Sequence, residues 1–384
     1  MSLDIEKSTW KRVALRDVVR HVTDRVDAET SGLDRFLAGE HIPSGSLAIT
    51  DWGVIGRDPI GPMFYKRFKA NHVLYVSRRT YLRKVAVPEF VGITGEKTFV
   101  LETLDQGALL QEFLPFVLSS ETFHTYAIAN SRGSVNPYLN WGELAAYEFD
   151  IPPLHEQKRI ADLLWAVERH RRALGQKVCA TLDARRAHFL SLKASTRSTK
   201  RLADVATIRN GQGFPVRLQG RPDGDYPFFK VSDLDSPGNE RLLTSTPNWI
   251  TSEDAAGMGA RLAEPGDVVT VRTGAALNAE RRRIVAEPCL VDDHFLIVHP
   301  TKVDTDFLWA WLSEVKLSDS RNEGVVPSIN QKILGAVELP DLEADGQHRF
   351  AHAYGSMTLA ATSLKLEIQS LDAIKSAILQ KVFE

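Results

Sequence analysis

Apolar positions along the chain fall into two alternating regimes. Roughly residues 10–150 and 200–340 carry short β-branched and aromatic runs, among them Phe99-Val-Leu101, Phe228-Phe-Lys230-Val231, Val268-Val-Thr-Val271 and His294-Phe-Leu-Ile-Val298. Gly, Pro, Asp and Asn interrupt them about every 8–12 residues, a spacing that predicts short strands joined by turns. Helical spacing inside these regions is confined to Leu109–Ser120 and Asp306–Lys316. Each region is therefore expected to be α+β, with a strongly curved or barrel-like sheet and a few helices.

Two other stretches repeat apolar residues every three or four positions. From His155 to about Lys193 these are Ile160, Leu164, Val167, Leu174, Val178, Leu182, Phe189 and Leu192. From Gln347 onward they are Phe350, Met357, Leu364, Ile368, Leu371, Ile374, Ile378 and Val382. Such spacing over several heptads predicts long amphipathic helices with a coiled-coil-like seam. Pro152-Pro153 marks the start of the first, because a residue before proline is pushed out of the helical region. About 38 residues at 1.5 Å each give a rod of roughly 55–60 Å. The narrow apolar faces fit an antiparallel pairing of the two helices, or two independent helices each lying on its own domain.

The regimes also repeat in sequence. Val13-Ala-Leu15-Arg-Asp17-Val18 returns 187 residues later as Lys200-Arg-Leu202-Ala-Asp204-Val205. Asn71-His-Val73-Leu-Tyr-Val76-Ser-Arg78-Arg79 is echoed by Gly266-Asp-Val268-Val-Thr-Val271-Arg272-Thr-Gly274. Leu139-Asn140…Leu144-Ala-Ala146-Tyr-Glu148 lines up with Ile329-Asn330…Leu334-Gly-Ala336-Val-Glu338 at an offset of 190. Ile151-Pro-Pro-Leu154 and Gln157-Lys-Arg159-Ile-Ala161 correspond to Leu339-Pro-Asp-Leu342 and Gln347-His-Arg349-Phe-Ala351. One match is cheap, but four in the same order indicate a tandem duplication. The expected organisation is a domain over 1–150, a helix over 151–197, a second domain over 198–342 and a second helix over 343–384.

Composition narrows the functional classes. The 384 residues are 43% hydrophobic and 25% charged, which excludes wholesale disorder and collagen-like structure. Two isolated cysteines, Cys179 and Cys289, supply neither a disulfide framework nor a zinc cluster. Met1–Lys11 is charged rather than signal-like, and no run of about 18 apolar residues occurs, so a soluble, cytosolic protein is expected. No phosphate-binding loop, G-x-S-x-G elbow or H-E-x-x-H helix is present, and the eleven histidines are scattered. Asn136-Pro137-Tyr138 resembles part of the Asn-Pro-Pro-Tyr loop of adenine methyltransferases but lacks the second proline, so it reads as a surface turn. Asp292-Asp293 reads as a strand end rather than a metal pair. No catalytic residues, metal ligands or cofactor site are expected on this chain.

What remains is cationic. The first domain carries Lys66-Arg67-Phe-Lys69 and Arg78-Arg79-Thr-Tyr81-Leu-Arg83-Lys84, cations interleaved with aromatics. The second carries Arg209-Asn210, Gln212 in a mobile-looking Gly211-Gln-Gly213 loop, Lys230, Arg272 and Arg281-Arg282-Arg283. Arg and Lys neutralise phosphates, while Arg, Asn and Gln can read base edges in the major groove. A solvated, salt-bridged surface would have the same composition. The whole chain has 47 basic and 49 acidic residues, net −2, which argues mildly against a nucleic-acid binder. Residues 155–195 alone, however, hold nine cations against four acids, a local charge of +5. That basic rod suits a nucleic-acid backbone or an acidic protein partner.

Two divergent domains, each closed by Leu/Ile-Asn…Leu…Ile-Pro-Pro-Leu-x-Glu-Gln-x-x-Ile-Ala and a long helix, resemble the specificity subunit of type I restriction–modification systems. The motif stands here as Leu139-Asn140, Leu144 and Ile151-Pro152-Pro153-Leu154-His-Glu156-Gln157-Lys-Arg-Ile160-Ala161. Its second copy is Val326-Pro-Ser328-Ile329-Asn330, Leu334, Leu339-Pro340-Asp-Leu342 and Gln347-His-Arg-Phe350-Ala351, with Asp341 and Gly346 where the pattern has Pro and Glu. The resemblance covers essentially the whole chain. It implies two target recognition domains, each reading half of a bipartite duplex DNA site, and an antiparallel helical spacer that sets the gap between the halves. It further implies that Pro152, Pro153, Leu154, Glu156, Gln157, Ile160, Leu164, Gln347, Phe350, Leu364 and Leu371 build the spacer and dock two modification (methyltransferase) subunits. A restriction (motor/nuclease) subunit would join them. S-adenosylmethionine, ATP and Mg would then reside on those partners, with no cofactor here. A duplicated adaptor for protein partners and a stand-alone DNA enzyme remain the readings from other classes.

Overall fold

The computed structural model describes residues 5–320 and 328–384, so Val326-Pro327 of the second motif lies outside it. The chain divides into two compact units, Met1–Lys177 with Leu364–Glu384 and Val178–Ser363.

Unit 1 is organised around the strand Val73–Val76, all four residues of which are buried. Successive strand side chains point to opposite faces, so an unbroken apolar run needs protein on both sides. Val73 and Tyr75 enter one core with Phe99 and Leu101. Leu74 and Val76 enter another with Val100, Phe68 and Leu37. The sheet has the antiparallel order Val19–His21, Thr98–Thr103, Val73–Val76, Val85–Ala86. A second sheet has the order Gly53–Val54, Arg35–Leu37, Gly92–Gly95, Phe64–Phe68, its middle pair parallel. Lys11–Ala14 pairs with Glu148–Ile151 and ties the start of the domain to its end. The helical spacing over Leu109–Ser120 resolves into Leu114–Val117 and a separate helix, Glu121–Ala129. The break falls there because Ser120 Oγ accepts the Phe123 N–H at 3.2 Å and caps a new helix.

Unit 2 repeats this frame. Val268 points to a core with Leu296 and Val298, and Val269 and Val271 to one with Phe295 and Ile297. Its main sheet runs Ala206–Asn210, Phe295–Pro300, Val268–Val271, Arg282–Val285, Leu242–Leu243, and its smaller sheet Trp249–Ile250, Tyr226–Phe229, Leu290–Val291. Thr199–Arg201 pairs with Glu338–Pro340 as the counterpart of the terminal pair in unit 1. Two strands lack a counterpart among the described residues: Phe64–Phe68 in unit 1 and Leu242–Leu243 in unit 2.

The long helices span Leu154–Ser195 and Ala344–Phe383, 42 and 40 residues, or about 63 and 60 Å at the standard rise. Parts of both pack antiparallel within each unit. In unit 1 Arg171 Nε donates to Asp372 Oδ1 at 2.6 Å, and His170 Nε2 lies 3.0 Å from Glu367. In unit 2 Arg185 Nη1 donates to Thr358 Oγ1 at 3.3 Å, and the His188 ring stacks on Phe350 at 4.7 Å. Ile160 and Leu164 share the unit 1 core with Leu379 and Val382. Phe189 shares the unit 2 core with Phe350 and Tyr354. One seam position differs from the expected stripe. Ile374 is 49% exposed, while Lys375 turns inward and ion-pairs with buried Glu168. The opposite charge across the helix pair, not hydrophobicity, sets which of the two neighbours faces in.

Candidate nucleic-acid interface

The loop after the central strand is built alike in both units. In unit 1 Ser77 O accepts the Leu139 N–H at 2.9 Å, and in unit 2 Arg272 O accepts the Ile329 N–H at 2.8 Å. The next residues form isolated bridges, Arg78 with Tyr138 and Thr273 with Ser328. Each loop then opens on a residue with positive φ (Arg79, 56°; Gly274, 74°), makes a 3₁₀ turn and ends on a left-handed residue, Arg83 or Glu280. Left-handed backbone is costly for arginine. The two arginines at 79 and 83 therefore mark a loop whose shape is imposed by the frame around it.

In unit 1 this loop is cationic and open. Arg78, Arg79, Lys84 and Lys97 line a cleft of about 600 Å³ with Glu40 and Glu96. Arg79 Nε donates to Asn136 Oδ1 at 2.7 Å, and Lys97 Nζ sits 4.9 Å from the Tyr138 ring centroid. The Asn136-Pro-Tyr138 turn is thus strapped against the basic loop. Lys97 and Tyr138 were not among the candidates from sequence, since neither lies in a charge run. Arg78 and Lys69 are exposed. Arg83 forms a two-pronged pair with Glu121 at 2.6 and 2.7 Å, and Lys84 Nζ donates to Gly39 O at 2.5 Å, so both are already engaged. Lys66 is buried and donates to Glu96 O at 2.7 Å and Thr98 O at 3.0 Å. Burial, with Lys97 and Arg25 nearby and Glu96 opposing, pushes its pKa down to about 8. Arg67 is half-buried on the same strand.

In unit 2 most candidate arginines turn inward. Arg282 is 2% exposed and ion-pairs with Glu280, whose carboxylate also accepts the Ser318 N–H at 2.8 Å. Burial lowers the Arg282 pKa against the pull of Glu280. For Glu280, burial acts to raise the pKa, but Ser318 and Arg282 outweigh it and the carboxyl stays low. Arg283 donates to Leu234 O at 2.9 Å and to Asn239 O, Arg281 pairs with Asp235 at 2.9 Å, and Arg209 donates to Leu262 O at 2.5 Å. Arg282, Arg283 and Arg209 cross-link the fold and Arg281 is half-buried in its pair with exposed Asp235, so the reading of the 281–283 run as a DNA-facing cluster is corrected: carboxylate and carbonyl partners already hold it. The Gly211-Gln-Gly213 loop is held rather than free. Gln212 N donates to Val291 O at 2.8 Å, and a Cβ on Gly211 would sit 1.9 Å from Asp292 O. Asn210 is exposed, and Gln212 and Arg272 are half-buried. Lys230, Thr273, Gly274 and His294 surround a hollow of about 280 Å³. The oxygens of Asp292 and Asp293 and the His294 nitrogen lie within 4.8 Å of one another. Asp292 already accepts the His294 N–H at 2.9 Å.

The spacer motif is also mostly internal. Gln157 is 1% exposed and satisfies three backbone groups, donating to Ala108 O and Pro152 O and accepting the Leu110 N–H, all at 2.9 Å. Half-buried Gln347 plays a similar part in unit 2 with two backbone groups, donating to Leu342 O at 2.9 Å and accepting the Asp304 N–H at 2.8 Å. Pro152, Ile160, Leu164 and Phe350 are buried, and Pro153, Glu156, Leu364 and Leu371 are half-buried. Only Leu154 of this set is exposed. The motif fastens each helix to its own unit, which is why Gln recurs where other surface positions vary between the repeats. Among the described residues no helix is long and apolar enough to cross a membrane.

Comparison with known proteins agrees with this architecture. Residues 59–182 match the family model described as the type I restriction modification DNA specificity domain. The chain is 21% identical over 97% of its length to the Escherichia coli type I restriction enzyme EcoDI specificity subunit, covering 88% of that protein. The crystal structure of a type I restriction–modification S subunit from M. genitalium superposes with a TM-score of 0.67 at 13% identity, over 100% of this chain and 98% of that one. A chain from a study of complex assembly and conformational transition of the type I system gives 0.53 at 18% identity, with 99% of each chain covered. The fold is that of the S subunits, and the resemblance read from the two motif copies holds.

Proposed function

We propose that this chain is the DNA-reading, non-catalytic subunit of a type I restriction–modification assembly. Each unit takes one half of a bipartite site in duplex DNA, and the long helices set the spacing and dock the modification subunits, two in number. The observation that carries this reading is the duplicated frame. Two units that share their strand order, apart from one strand each, present the same backbone-anchored loop after the central strand, yet fill it with different side chains, Arg78-Arg79 in one and Thr273-Gly274 in the other. A shared scaffold with divergent loops suits recognition of two different short sequences. Methyl transfer and DNA translocation fall to the partner subunits, which hold S-adenosylmethionine, ATP and Mg, and the assembly works in the cytoplasm.

The test is a band shift with the chain bound to its methyltransferase partner. The expected result is a specific shift that requires both half-sites. No shift on any DNA, with or without the partner, contradicts the reading, and methylation or cleavage by the purified chain alone makes it an enzyme instead. Removal of one heptad within residues 160–192 should change the half-site spacing while both half-sites remain readable. Unchanged spacing counts against the helices as a ruler.

A further inference from the structure

Beside the basic loop of unit 1 lies a smaller cleft of about 250 Å³, lined in part by Arg25, Lys66, Lys97, Asn140 and Trp141. Its construction is unusual for a solvated charge patch. Arg25 and Lys66 are cross-strand neighbours in an isolated bridge, so two cations are placed side by side by the backbone. The Arg25 guanidinium lies 4.5 Å over the Tyr65 ring and makes no ion pair among the described residues. Lys97 is held from below, its carbonyl accepting both the Ser77 N–H and the Ser77 hydroxyl at 2.8 and 2.9 Å. Its ammonium lies over the Tyr138 ring at 4.9 Å, and its ion pair among the described residues is a weak one with Glu96 at 3.8 Å. Lys66 spends two of its three N–H donors on Glu96 O and Thr98 O. Glu96 is the one carboxylate lining the cleft, against three cations.

Asn140 adds a neutral amide to the lining. In unit 2 the equivalent Asn330 caps its helix, accepting the Ile333 N–H at 2.9 Å. Asn140 occupies the same N-cap position but makes no such bond; it lines the cleft with its side-chain amide donating to the Glu143 carboxylate. Three cations, an amide and aromatic walls, with a single opposing acid, favour a singly charged oxyanion over a neutral or cationic group. The volume holds a phosphate with several waters at roughly 30 Å³ each.

We propose that this cleft is a phosphodiester cradle, in which Arg25, Lys66 and Lys97 grip one backbone phosphate of the DNA beside the loop at Arg78-Arg79. It rests on the reading of unit 1 as a DNA reader and assigns the anchoring contact within it. The cradle fixes register on the duplex and carries no base information. The described residues of unit 2 offer no equivalent, because the strand that delivers Lys66 has no counterpart there.

The test uses the full chain bound to its methyltransferase partner, a mixed-sequence duplex and, separately, inorganic pyrophosphate. Arg25→Gln/Lys97→Gln removes two exposed cations. Arg12→Gln/Arg57→Gln removes the same charge from exposed arginines that do not line the cleft. The cradle variant should bind the duplex about tenfold more weakly, the scale of a lost charged contact. Its plot of log affinity against log salt should flatten by about 0.9, the value for one phosphate. It should also lose the saturable pyrophosphate heat of the unaltered chain, and the control pair should keep both. If the unaltered chain binds duplex and the cradle variant matches it in affinity and slope, the cradle is overturned while the DNA-reading role stands. If duplex is ignored but pyrophosphate binds and the variant loses it, the cleft is an anion site of another kind, and its hold on DNA is overturned together with the DNA-reading role. Silence toward both ligands overturns both.

Discussion

The arginine runs of the two units look interchangeable in sequence and meet opposite fates. Arg78 and Arg79 stand open at the rim of a cleft, whereas buried Arg282 and half-buried Arg283 are taken up by an ion pair and carbonyl contacts. The difference comes from where each run falls on its frame. Arg78-Arg79 sits just past the end of the central strand, where the chain turns to solvent. Arg282-Arg283 lies within the next strand, Arg282–Val285, which is paired on both sides, with the central strand and with Leu242–Leu243. A charge run thus acquires its role from its position relative to the sheet, and the same residues serve as ligand contacts in one unit and as struts in the other.

The comparison is broken most sharply at the struts. Arg282→Ala removes a buried guanidinium and leaves half-buried Glu280 without its partner, and should destabilise unit 2 by about 3 kcal/mol, read as an early denaturant transition. Arg79→Ala should shift stability by less than about 0.5 kcal/mol. Equal costs at the two sites would refute the assignment. A similar loss of about 3–5 kcal/mol is expected for Lys375→Met in unit 1, which strands Glu168. Adding Glu168→Leu should recover most of it, since a buried pair can be replaced by apolar side chains at little cost.

Acid should act on unit 1 through two histidines. Burial first, then Lys66, pushes His21 down to about 4, and burial first, then Arg83, pushes His124 to about the same value. In the unfolded chain both titrate near 6.5. Between those values the unfolded chain binds more protons, so stability falls as pH drops from about 6.5 and the loss is complete below about 4. His124→Leu should flatten that slope in denaturant melts recorded across the range, and an unchanged slope would remove His124 from the account. The smallest effect belongs to Arg83→Gln. Its guanidinium is already taken by Glu121, so duplex affinity should change less than twofold, on the order of the small worth of an exposed pair.

Much of this architecture is legible in the sequence because it is periodic. The buried runs at Val73–Val76 and Val268–Val271, the two long helices and the duplication all leave regular patterns. The fate of a cation leaves none. Lys375 has the composition of a solvated helix face, and only Glu168 across the helix pair explains why it is inside while Ile374 is out. Lys97 and Tyr138 come together through hydrogen bonds that join three distant segments at Ser77. The strands Phe64–Phe68 and Leu242–Leu243 break the repeat and carry no periodic signal that sets them apart. The compact units also part within both long helices, at Lys177 and at Ser363, where the sequence pattern continues without a break in composition. For that reason the domain limits read from sequence and the compact units differ.

The central claim is that each unit reads its own half-site, and methylation mapping tests it most directly. The assembled complex, carrying either the unaltered chain or Arg78→Ala/Arg79→Ala, would be presented with a randomised duplex library and its methylated products sequenced. The expected result is two short specified blocks at a fixed separation, with the double variant relaxing one block and leaving the other intact. A single continuous block, or equal relaxation of both, would contradict the account.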